Sequence, residues 1–144
     1  MEGVSIYSLK QISVPNGDVF HILKNDDISF KGFGEAYFSQ IEAGKIKGWK
    51  RHNEVTLNLV VPIGEIKFII YDDRINSSSY GQFEEYILSS INNYCRLTIE
   101  PGLWLAFMGL GTGTSVLLNI INKPHSPIES DKKDLHEIAY DFEL

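Results

Sequence analysis

Apolar and polar side chains alternate along most of the chain in short runs broken by turn residues. Residues 66–71 set Ile66, Phe68 and Ile70 on one side of an extended backbone, because successive strand side chains point to opposite faces. Runs at 19–23, 36–41, 55–61, 82–88, 96–99, 103–108 and 116–121 have the same β-branched and aromatic character. Between them lie turn signals: Val14-Pro15-Asn16-Gly17-Asp18, Pro62-Ile63-Gly64-Glu65, a polar loop at 76–81, and Glu100-Pro101-Gly102. The glycine-rich Gly109-Leu110-Gly111-Thr112-Gly113-Thr114 is followed by neither Gly-Lys-Ser/Thr nor a helical period, so it reads as a hairpin loop and not as a phosphate cradle. About ten short strands without a long helix predict an all-β sandwich or jelly-roll barrel. After Pro124 and Pro127 the character changes. The tail around Asp131-Lys132-Lys133-Asp134 and 135–142 fits a short helix or an edge segment, and we expect it to be partly helical.

The centre of the pattern is 44–64, G-K-I-K-G-W-K-R-H-N-E-V-T-L-N-L-V-V-P-I-G, which has the spacing of a strand, hairpin and strand flooring a small pocket. Lys50 and His52 lie two apart and should share a face, which makes them the candidate reactive pair. His52 is the preferred proton acceptor, since a reference pKa of about 6.5 already suits neutral pH. Bringing a lysine from about 10.4 to near 7 requires roughly 4 to 5 kcal/mol of differential stabilisation. Lys50 then becomes the electrostatic group beside a developing negative charge or a phosphate. Lys47 and Arg51 are phosphate candidates. Alternation places them with Trp49 on the opposite face, although a bulge at Gly48 would bring Lys47 round. Trp49 and Trp104 are candidate stacking surfaces, with core packing the commoner role for such residues. Tyr71, Tyr80 and Tyr140 are candidate acids.

Composition narrows the classes. The 144 residues form one domain, 1–144, and 43% hydrophobic with 22% charged residues describes a folded globule. A net charge of -6 argues against nucleic acid as a partner but not against a small phosphate-bearing ligand held by local cations. Cys95 is single, so it has no intrachain disulfide partner and no spaced zinc partners. No basic-then-apolar leader and no window of about twenty apolar residues is present, so we expect a soluble cytoplasmic protein without a membrane role.

Two resemblances follow from the motifs. Gly44, Lys50, His52, Leu57 and Gly64 are spaced like the first cupin motif, and Glu100-Pro101-Gly102-Leu103-Trp104-Leu105 with Gly109 is similar to the second. The positions that bind metal in metal cupins are here Lys50, His52, Leu57 and Leu105, a set that cannot hold a divalent ion. More narrowly, Lys47-Gly48-Trp49-Lys50, Gly64-Glu65, Asp72-Asp73-Arg74, Ser79-Tyr80-Gly81, Ile99-Glu100-Pro101-Gly102 and Leu117-Leu118-Asn119 resemble, in order and spacing, the dTDP-4-dehydrorhamnose 3,5-epimerase family, in its short epimerase and ketoisomerase branch. That resemblance implies a cupin jelly roll, commonly a homodimer sharing its N-terminal strands. It also implies proton abstraction next to the ketone of a 4-keto-6-deoxy sugar linked to a nucleotide diphosphate, without metal or cofactor. In the family a histidine is the base, an acidic residue orients it and a tyrosine protonates the other face. Here the base position falls on Lys50, the preceding arginine on Lys47, the tyrosine near Asn119, and Asp134 is a candidate for the late acid. The alternatives are a cupin that binds a sugar nucleotide or partner protein without catalysis, and a purely structural jelly-roll subunit.

Overall fold

The computed structural model describes residues 1–143. Twelve strands follow in chain order: β1 Val4–Ser8, β2 Gln11–Ile12, β3 Val19–Phe20, β4 Glu35–Glu42, β5 Ile46–His52, β6 Leu57–Ile63, β7 Glu65–Tyr71, β8 Phe83–Ser89, β9 Cys95–Ile99, β10 Trp104–Gly109, β11 Thr114–Ile121 and β12 Ser130–Lys132. They form two five-stranded antiparallel sheets, β1-β9-β6-β11-β4 and β12-β5-β10-β7-β8, and a small β2-β3 ribbon. This is the all-β cupin jelly roll that the alternation and the motifs predict.

The core lies between the sheets because one face of each inner strand is apolar. Ile66, Phe68 and Ile70 of β7 meet Leu59, Leu97, Ile99 and Leu117 from the facing sheet. A second cluster covers the outside of the β5-β10-β7 sheet, where Trp49, Ile69, Trp104 and Ala106 are capped by Ile138 and Phe142 of the tail. Both sides of that sheet are therefore buried over part of its width.

Two expectations are corrected and one is refined. The stretch 44–64 is not a hairpin: β5 and β6 belong to different sheets, and residues 53–56 turn the corner between them. The glycine-rich 110–113 segment likewise crosses from one sheet to the other instead of closing a hairpin, since β10 and β11 are not paired. The tail, expected to be a short helix or an edge segment, has no α-helix among the described residues but holds both short helical turns and an edge strand. It forms two single 3-10 turns, Pro127–Glu129 and Leu135–Glu137, around β12, which runs along β5.

The bulge at Gly48 is present. Lys50 faces Leu105 and Lys47 faces Phe107 on β10, so Gly48 and Trp49 together oppose Ala106. Gly48 has φ 151°, and a Cβ there would come within 2.5 Å of the Ala106 Cβ, so only glycine fits this crossing. The extra residue turns Lys47 to the same side as Lys50.

Candidate functional site

Where the sheets diverge they enclose a cavity of about 630 Å³. Leu57, Leu59, Leu105, Phe107 and Leu117 supply apolar walls, and Tyr37, Lys47, Lys50, His52, Asn119 and Lys132 supply the polar ones. The predicted pair thus lies inside a hollow and not on open surface. An apolar cavity with a few convergent polar groups is the usual form of a small-molecule site.

His52 ends β5 and is 9% exposed. Its Nδ1 lies 2.7 Å from Glu129 Oε2, a buried pair brought together from positions 77 residues apart. The other carboxylate oxygen, Oε1, accepts the backbone N–H groups of Asn53, Glu54 and Val55 at 2.9, 2.9 and 3.0 Å. Glu129 therefore fills the corner that joins the sheets and fixes the imidazole at the same time. Burial alone would raise its pKa, but these N–H groups and His52 outweigh that and hold it below the usual carboxylate value. A carboxylate at Nδ1 makes that nitrogen the donor, leaving Nε2 as the free base. Burial pushes the His52 pKa below 6.5, opposed by the Glu129 hydrogen bond and charge and helped by Lys50. At neutral pH the ring is uncharged and able to accept a proton.

Lys50 is half-buried on the same face, and Lys132 stands directly opposite it across the β5-β12 ladder. Burial first, and then the Lys132 charge, lower its pKa, while Glu129 works the other way. Lys47 reaches the cavity through the bulge and donates to Gln40 O at 2.6 Å. Lys47, Lys50, Lys132 and Lys133 all border this hollow, which on a protein of net charge -6 makes it a local basic site.

Asn119 is 6% exposed, and its Nδ2 donates to the Tyr37 hydroxyl at 3.0 Å across the β11-β4 pair. Its Oδ1 has no partner among the described residues, an unmet acceptor on a cavity wall. Burial raises the Tyr37 pKa, with Glu35 and Glu129 adding to that and Asn119 opposing it, so the phenol stays protonated.

Other predicted residues lie elsewhere. The Trp49 and Trp104 rings, each 1% exposed, are packed on the outer side of the sheet and present no stacking surface to the cavity. Arg51 also points outward. It holds Asp131 at 2.8 Å and Asp73 at 3.3 Å and lies 4.6 Å over the Trp104 ring, with its donors engaged in clamping β12. Tyr71 and Tyr140 join the outer aromatic cluster. Asp134 borders the cavity, but the carboxylate on His52 is Glu129. Glu129 carried no periodic signal, since it sits in a 3-10 turn after Pro127. Tyr37 was readable, because alternation along β4 sets it on the same side as buried Ile41.

The four positions that ligate metal in metal cupins, Lys50, His52, Leu57 and Leu105, do line this cavity. An ammonium and two isobutyl groups offer no lone pair to a cation, and the one imidazole has its Nδ1 on Glu129. The donor set does not fit a divalent ion.

No protein-family model matches the chain. It is 30% identical over 107 residues to the probable low-salt glycan biosynthesis epimerase Agl13 of Haloferax volcanii, a match covering 74% of this chain and 66% of that protein, just under two thirds of its length. A crystal structure of a dTDP sugar isomerase from Desulfovibrio desulfuricans superposes with TM-score 0.90 at 34% identity, over 92% of this chain and 85% of that one. The Legionella pneumophila 3,5-epimerase RmlC, solved with dTDP-4-keto-L-rhamnose, shares the fold with TM-score 0.80 at 18% identity, over 92% of this chain and 73% of that one.

Proposed function

The chain belongs to the family of dTDP-sugar isomerases and dTDP-4-dehydrorhamnose 3,5-epimerases, and from that membership we propose that it is a carbohydrate epimerase or isomerase enolising a nucleotide-linked 4-keto-6-deoxy sugar. The observation that carries this reading is His52, held by Glu129, beside Lys50 in one partly apolar cavity. His52 Nε2 takes the proton from the carbon next to the ketone, and Lys50 assists the carbonyl as negative charge moves onto oxygen. The carbon is reprotonated from the other side, where Tyr37 offers the one phenol on the cavity wall. Lys47 and Lys132 suit the diphosphate, and the unmet Asn119 Oδ1 suits a sugar hydroxyl.

The reaction follows from acid and base groups alone, and the donor set described above leaves no role for a metal. The expected homodimer and a cytoplasmic location belong to the same proposal. In favour of the dimer, the β2-β3 ribbon stands apart from both sheets with Ile12, Val19 and Phe20 exposed. Among the described residues no helix is long and apolar enough to cross a membrane.

The test is incubation with a panel of dTDP-4-keto-6-deoxyhexoses in heavy water, followed by NMR of the carbons flanking the ketone. Deuterium should enter at one or both. Absence of exchange with every sugar overturns the enzymatic reading. A lysine at the family's base position favours a second reading, a binding cupin without turnover. It predicts ligand-induced thermal stabilisation with no exchange and little loss of affinity in His52→Ala.

A further inference from the structure

Lys50 is set apart from the other lysines by being half-buried in the cavity while lacking a partner among the described residues. Lys47 donates to Gln40 O, Lys67 pairs with Glu85 at 3.1 Å, Lys123 with Glu54 at 3.7 Å, and Lys133 lies 4.8 Å over the Trp104 ring. Lys50, which faces the cavity, has no hydrogen-bond or ion-pair partner among the described residues; the charges that act on it are Lys132 and Glu129. Glu129 is already committed to His52 and to backbone N–H groups. Lys132 sits directly across the ladder, and like charges in that arrangement repel. Lys132 is exposed, whereas the Lys50 amine is half-buried between the leucine walls of the cavity. A partnerless amine in a largely apolar hollow, beside a second cation, is the environment that makes a lysine nucleophilic toward carbonyls.

We propose that the Lys50 ε-amine forms a reversible imine with the keto carbon of the sugar, so that His52 removes its proton from an iminium and not from a free ketone. The inference rests on the reading of the cavity as a 4-keto sugar site, and it makes the help Lys50 gives the carbonyl covalent. The neutral amine adds to the carbonyl carbon, and the carbinolamine takes up one proton from solvent and loses one water to give the iminium. His52 Nε2 then takes a proton from the adjacent carbon, and the bonding pair moves through the new double bond to nitrogen, leaving an enamine. Reprotonation at carbon restores the iminium, and one water returns the ketone and the amine and releases the proton taken up earlier. No oxidant, reductant or cofactor enters. The alternation along β5 places the two groups for this, since Lys50 and His52 share a face two residues apart.

The experiment treats the whole protein with a dTDP-4-keto-6-deoxyhexose and cyanoborohydride, which reduces iminium ions in preference to ketones. Intact mass should rise by the nucleotide sugar less one oxygen atom, and peptide mapping should put the adduct on Lys50. Lys50→Arg keeps a cation that cannot deprotonate, and should lose deuterium wash-in by on the order of a hundredfold or more. Full wash-in by the wild type without an adduct, an adduct only on Lys47 or Lys132, or near-normal wash-in by Lys50→Arg overturns the imine and leaves the epimerase reading intact. An adduct on Lys50 without wash-in keeps the imine and removes the enolisation. Neither adduct nor wash-in removes both.

Discussion

The two faces of β5 divide the work of the protein between them. Toward the cavity the strand turns Lys47, Lys50 and His52; away from it, Trp49 and Arg51 lie under the C-terminal tail. The outer face is fully engaged. Trp49 is enclosed by Ile69, Ala106 and Phe142, and Arg51 is held by two carboxylates and an indole. The inner face is under-engaged, with a partnerless amine, an imidazole tied at one nitrogen, and across the cavity an asparagine oxygen that nothing meets. Groups left unsatisfied in a folded chain are those available to a ligand. The outer face also serves the inner one, because the tail it anchors carries Glu129 to His52 through the β5-β12 pairing.

This division makes substitutions on alternate residues separable. Trp49→Ala removes the largest outer-face side chain and should cost about 3 to 5 kcal/mol of stability, measured by urea unfolding. His52→Gln should keep the fold, since an amide can still donate to Glu129, and should lower deuterium wash-in roughly 10² to 10⁴-fold. Glu129→Gln retains an acceptor for the 53–55 backbone but removes the charge that raises the His52 pKa. Its wash-in rate should fall roughly ten- to a hundredfold, and the acid limb of its pH profile should move to lower pH than in the wild type. A limb that moved upward would contradict this geometry. In the wild type that limb lies below 6.5, because burial makes the folded imidazole hold a proton less well than the free side chain. Acidification through that range therefore also lowers stability through this residue, as the unfolded chain binds the proton first. Arg51→Ala is the smallest effect: the pair is partly exposed, so about 1 kcal/mol is expected, with wash-in reduced less than in Glu129→Gln.

The same strand shows what alternation can and cannot reveal. Period two placed Lys50 and His52 together and put Trp49 and Arg51 on the other face, and the glycine marked the bulge that brings Lys47 back. What it could not reveal was what lies beyond each face. An outward strand position is normally wet, and only the docking of the tail, through Ile138 and Phe142, makes Trp49 and Trp104 core residues and not stacking surfaces. Glu129 was invisible for a related reason. It reaches His52 through a ladder formed late in the chain by three residues, Ser130, Asp131 and Lys132, too few to show a period. The 44–64 stretch read as a hairpin from its spacing, whereas in three dimensions the Asn53 and Glu54 N–H groups bind a distant carboxylate and the chain changes sheets.

The most direct test of the central claim, that the cavity face of β5 carries the base, is a paired wash-in measurement on wild type and His52→Gln with one dTDP-4-keto-6-deoxyhexose at neutral pH, each checked for an unchanged thermal midpoint. Rapid deuterium entry next to the ketone in the wild type, with only the buffer rate in a fully folded His52→Gln, is the predicted result. Equal rates in the two folded proteins would contradict it.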